Sequence, residues 1–162
     1  MSHLICGPEW NGPLYIWLVQ RLPHAHRLPA GQGIGVAGDD GTILAAAWYY
    51  NHRPMMYGGD IEVAFAAGDA RWATRKHIRA ILSYPFVQLG CVRQTAVVFK
   101  RNRRVRKFLQ GIGFRQEGVH RLAADGQEDA ITYGLLASEW LAHKFTIGGT
   151  DGQISAIPAE TA

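Results

Sequence analysis

Apolar residues along this chain come in short runs, broken by Gly, Asn and Asp-Gly, and the period of the runs changes from one to the next. Residues 3–7, HLICG, read as a short strand. Residues 11–22, NGPLYIWLVQRL, read as a helix with Asn11 or Gly12 as its cap and Pro13 in the first turn, where a missing N–H costs little. Residues 33–50, GIGVAGDDGTILAAAWYY, read as two strands turning at Asp39-Asp40-Gly41, because Asp-Gly tolerates the positive φ of a tight hairpin. The stretch NHRPMMYGG, 51–59, reads as a loop over the sheet edge whose Met55, Met56 and Tyr57 could line an acceptor site.

DIEVAFAA, 60–67, is apolar enough for a central strand. A helix follows over 70–90, with Ile78, Ile81 and Leu82 on one side and Leu89-Gly90 at its end. VRQTAVVF, 92–99, is another buried strand, and Asn102 caps a short helix with Val105, Phe108, Leu109 and Ile112 as its inner stripe. Two strands joined across Asp125-Gly126 (113–125 and 128–137) and a helix over 138–145 complete the set. The order βαββ, then βαβαββ, predicts an α/β mixed sheet with helices on its faces.

Composition narrows the classes. With 162 residues the chain suits one domain, assigned to 1–145, and the Gly-, Ala- and Thr-rich residues 146–162 read as a loose tail. No long apolar run or basic leader is present, and Cys6 and Cys91 fit no redox or zinc spacing, so a reduced, cytoplasmic protein is expected, without membrane partners. The seven histidines lack ligand spacing, and no metal is expected; His24 and His26 form at most a weak pair. The five tryptophans are dispersed, as core or edge aromatics are.

Charge is more informative than the net +4. No acid lies between Asp69 and Glu117, a span holding twelve of the seventeen cations, six of them within 100–107, KRNRRVRK. Such a segment suits a phosphate-bearing partner. The run GQGIGVAG, by contrast, leads into a strand and a hairpin, so it is no dinucleotide fingerprint, which needs its glycines at a helix N-terminus.

The strand IEVAFAA, the helix opening at RWATR, the strand TAVVF, then Asn102, Gly113-Phe114 and Glu117-Gly118 together resemble the GNAT superfamily of acyl-CoA-dependent N-acyltransferases, over roughly residues 3–145. The resemblance implies about seven mostly antiparallel strands, with a parallel fourth and fifth pair splayed to receive the pantetheine of acetyl-CoA. It implies cofactor contacts from Val63, Phe65, Ala66 and Ala67 on the fourth strand. Arg71, Trp72, Ala73, Thr74, Arg75 and Lys76 would meet the pyrophosphate at the next helix, and Asn102 with Arg103 or Arg106 the pantetheine or 3′-phosphate. The usual loop has small residues where this chain has Thr74 and Lys76.

The implied chemistry is attack of an amine on the thioester carbonyl, which needs a base and an oxyanion donor. Glu62 is the candidate base; its alternative is a carboxylate on the wet side of the sheet. The family's usual tyrosine acid falls at Leu109, leaving Tyr133, Tyr57 and His120 as replacements. The expected partners are acetyl-CoA and an unidentified amine of a small molecule or protein. A non-catalytic interaction module is the alternative and a nucleic-acid binder the less favoured one; oligomeric state is open, a homodimer included.

Overall fold

A computed structural model describes residues 1–22 and 28–146. His24 and His26 lie outside them, as does all but the first residue of the expected tail. The elements run β1 (Ser2–Cys6), α1 (Pro8–Val19), β2 (Gly31–Gly38), β3 (Ile43–Met55) and β4 (Gly58–Ala67), then a 3₁₀ turn (Ala70–Trp72) and α2 (Arg75–Val87). They continue with β5 (Arg93–Phe99), α3 (Arg103–Gly111), β6 (Arg115–Ala124), β7 (Glu128–Leu136) and α4 (Ala137–Leu141). The strands form one sheet in the order β1-β2-β3-β4-β5-β7-β6, antiparallel throughout except for the β4–β5 pair.

Each face of the sheet has its own core. Alternate residues Ile61 and Val63 of β4 and Ala96 and Val98 of β5 meet Ile78, Ile81 and Leu109 beneath α2 and α3, with the fully buried Trp140 of α4. On the other face α1 lays Leu14 and Leu18 on Ala46 and Trp48. Gly33 and Gly35 explain the glycine run of β2: a Cβ at either would press into Leu14, so these glycines let the helix approach the strand.

Proline shapes the docking of α2. Pro85 has no N–H for the carbonyl four residues back, and that carbonyl, of Ile81, instead accepts a 2.7 Å hydrogen bond from the buried Tyr49 hydroxyl. Gln94 Nε2 donates similarly to Leu82 O, and Trp140 Nε1 to Ser83 Oγ.

Four expectations shift. Helix α1 begins at Pro8 behind Gly7, because Pro8 can hold the first position; Pro13 thus lies inside the helix, and Asn11, no cap, accepts from the Gly33 N–H at 2.9 Å. The expected loop 51–59 is mostly strand: β3 runs on to Met55 and β4 starts at Gly58, with a one-residue bulge at Asn51, whose φ is 51°. Its polar, exposed residues hid a hairpin arm that pairs edge to edge with little to bury. The helix expected from 70 splits, since Thr74 caps α2 by accepting from the His77 N–H, and the last helix is a single short turn.

Candidate active site

Parallel pairing of β4 with β5 covers only Asp60↔Arg93, Ile61↔Gln94 and Glu62↔Thr95. Beyond Glu62 the strands part, and the β4 edge from Val63 to Ala67 has no strand on its β5 side. A cavity of about 470 Å³ opens there, within the range of small-molecule sites. It is lined by Val63, Phe65 and Phe108 from the α2–α3 face and by Tyr50, Ala64 and Val97 from the α1 face, so it passes through the sheet between the two strands. Phe65, Trp72 and Phe108 stack against one another at its wall, with ring centroids 4.7 to 5.9 Å apart.

Glu62 stands where the strands separate. Strand alternation puts it on the α1 face with Ala64 and Ala66, half-buried. Its Oε1 accepts from Asn51 Nδ2 at 3.3 Å, and Tyr50 lies directly opposite it in the β3–β4 register. Burial, then the Glu62 charge, pushes the Tyr50 phenol up, so it stays neutral. Glu62 has no ion pair among the described residues. The neighbouring acids do: Asp60 binds Arg53 at 2.5 Å and Arg93 at 3.4 Å, and Arg93 binds Glu117 at 2.6 Å. Gly134 leaves room for the Glu117 carboxylate, which fills the place of a Cβ.

The loop after β4 uses much of its charge internally. Asp69 caps the 3₁₀ turn through the Arg71 N–H and takes the Arg71 guanidinium at 2.8 Å, which holds its carboxyl below the usual range. Arg75 reaches the carbonyls of Lys144 and Phe145. At the α2 N-terminus the His77 N–H is capped by Thr74, and the Lys76 N–H of the same first turn has no intrahelical acceptor. Ala73, Thr74 and Lys76 are exposed there, as is Ala67 at the end of β4, while Ala66 is half-buried and Trp72 buried.

On α3, Asn102 lines the cavity and caps the helix through the Val105 N–H. Arg106, a candidate contact for the pantetheine or 3′-phosphate, is engaged within the fold: its Nε donates to Tyr133 Oη at 3.0 Å and its Nη1 to Lys100 O. Tyr133 itself is fully buried and is not part of the cavity lining. Tyr57 is exposed at the tip of the β3–β4 arm, and His120 bonds to Thr132 Oγ1. The basic run is divided: Lys100 and Arg101 pair with Asp129 and Glu128 of β7, while Arg103, Arg104 and Lys107 are exposed without ion pairs among the described residues.

No protein-family model matches the chain, and no curated protein does. Solved structures do. A variant of the spermidine N-acetyltransferase SpeG from Vibrio cholerae matches 86% of this chain and 96% of its own with a TM-score of 0.68 at 13% identity. A ribosomal-protein alanine acetyltransferase from Vibrio fischeri matches 77% and 69%, with a TM-score of 0.57 at 21% identity. A GNAT-family acetyltransferase from Bacillus anthracis matches 66% and 67%, with a TM-score of 0.53 at 17% identity. The chain has the GNAT fold. The parallel, splayed β4–β5 pair expected from the motifs is the centre of that fold here, and helices cover both faces as expected. No helix among the described residues is long and apolar enough to cross a membrane, and no metal-holding group of His, Cys, Asp and Glu occurs among them.

Sequence reasoning missed Tyr50 and Phe108 as walls of this GNAT cleft, and Asp69 as the partner of Arg71. Tyr50 could be found only through the β3–β4 register, which depends on a bulge at Asn51 that no turn motif announces.

Proposed function

We propose that the protein is an acetyl-CoA-dependent N-acetyltransferase acting on a primary amine by direct attack. The observation that carries this reading is the apolar cavity that opens where β4 loses its partner, from Val63, the residue after Glu62, onward. The residues suit acetyl-CoA as substrate. The cavity walls are apolar, the free β4 edge offers backbone groups to an amide-bearing arm, and Lys76 with the α2 N-terminus offers cations and N–H groups to phosphate.

In the proposed reaction Glu62 takes a proton from the ammonium, and the neutral nitrogen attacks the thioester carbonyl. Backbone N–H groups near Phe65 to Ala67 stabilise the oxyanion. The C–N bond forms, the C–S bond breaks, and the proton still in excess on the attacking nitrogen passes to the leaving sulfur, whose thiol has a pKa near 8.5, directly or through water. The enclosed Tyr133 is left without a part in that proton transfer. A cytoplasmic setting is part of the same proposal.

A second reading, a non-catalytic module, is favoured by the internal engagement of Arg71 and Arg75. Thermal unfolding with CoA, acetyl-CoA and duplex DNA decides. A ligand at about 100 times its Kd adds roughly 2.7 kcal/mol, a rise of several degrees at this size. A shift with the CoA forms and none with DNA is expected; no shift with CoA would favour the module.

A further inference from the structure

From the α1-face mouth of the cavity we infer that the acceptor is a monoamine on an apolar or aromatic body, and not a polyamine or a basic peptide; this rests on the acetyltransferase reading. The wall around that mouth is built from Leu22, Leu28, Tyr50, Ala64 and Val97, and Val97 is 51% exposed on the side of β5 away from the core. These side chains give an organic amine an apolar surface and no second anion.

Only one carboxylate here is available to a cation. Asp60 and Glu117 are held by Arg53 and Arg93, so a second ammonium would have to displace a guanidinium already paired there. Of the three carboxylates Asp60, Glu62 and Glu117 around the β4–β5 seam, Glu62 alone lacks an ion pair among the described residues, and one unpaired carboxylate matches one ammonium. The described segments that supply the α1 side of the mouth carry no compensating acid: residues 10–22 and 28–38 contain no Asp or Glu, while Arg21 falls within them. An additional positive charge on the acceptor therefore meets repulsion or unscreened desolvation. An apolar body gains by burial against the five residues of the wall.

The test measures acetyl transfer from acetyl-CoA to 2-phenylethylamine, spermidine and a lysine-containing peptide, together with unfolding temperatures for each amine in the presence of CoA. The expected result is a kcat/KM for 2-phenylethylamine about tenfold or more above the other two. It should also stabilise the CoA-bound protein more than spermidine does. Val97→Asp, which adds a second carboxylate at the mouth, should shift preference toward spermidine. Transfer to spermidine or peptide as fast as to 2-phenylethylamine, or stronger stabilisation by spermidine, overturns the inference and leaves the acetyltransferase reading intact. Absence of any CoA binding defeats the reading itself, and the inference with it. If CoA binds and no amine is acetylated, the stabilisation order alone decides the inference.

Discussion

Tyr50 and Glu62 face each other across the β3–β4 ladder, where burial and then the Glu62 charge push the Tyr50 phenol up, so that it stays neutral beside the carboxylate. Tyr50 and Val63, the residues opposite and after Glu62, both line the cavity, which sets Glu62 at its border.

If Glu62 is the base, Glu62→Gln should lower kcat by about 10²-fold or more and leave CoA affinity unchanged. Tyr50→Phe removes a neutral hydroxyl from the cavity wall opposite that carboxylate and should slow turnover by several-fold. Steady-state kinetics beside calorimetric CoA titration separates these effects. Unchanged turnover in Glu62→Gln would remove it from the mechanism.

Tyr133 offers a contrasting outcome. Its hydroxyl accepts from Arg106 inside the fold, so Tyr133→Phe leaves a half-buried guanidinium N–H unmatched and should cost about 1–3 kcal/mol of stability. Turnover at a temperature where the variant is folded should stay close to the parent's. A large kcat loss there would instead make Tyr133 part of the chemistry.

Asp69 competes for the cation that an incoming phosphate would use. Asp69→Asn keeps an oxygen for the Arg71 N–H and drops the charge that holds the guanidinium. CoA should bind several-fold more tightly to this variant, and the gain should vanish in an Asp69→Asn, Arg71→Ala double variant. Equal affinities measured by titration calorimetry would exclude Arg71 from phosphate contact.

His143 stacks between Trp140 and Phe145, and burial, with the Lys144 charge, lowers its pKa from the ordinary 6.5. The unfolded chain then binds a proton that the folded chain resists, so this contribution to stability is present above the ordinary value and falls as pH drops through and below it. Unfolding temperature should decline between about pH 6.5 and pH 5, a window above ordinary carboxylate titration, and His143→Phe should flatten that decline.

The fold was legible where local chemistry dictated it. Asp39-Asp40-Gly41, Asn102 and Asp125-Gly126 each mark a turn or a cap that the structure contains, with Gly41 and Gly126 at φ 80° and 71°. The β3–β4 arm was not legible, because its polar residues carry no alternation to read. Within the site, Glu62, Val63, Phe65 and Asn102 could be placed from strand and cap patterns. The destinations of Arg71, Arg75 and Arg106 could not: long cations choose partners by three-dimensional proximity, and all three find theirs within the chain. A basic segment in sequence is thus a poor map of the charge left over for a ligand.

The three-pair seam between β4 and β5 also bears on how the protein survives in solution. β4 is an interior strand by position and, beyond Glu62, an edge strand by chemistry, with Val63 and Phe65 beside unpaired backbone groups. Such an edge is a template for another chain's strand. It is shielded here by being recessed in a cleft whose apolar walls leave no room for a flat approach, so the same recess that would select a ligand keeps the protein from joining its neighbours into aggregates.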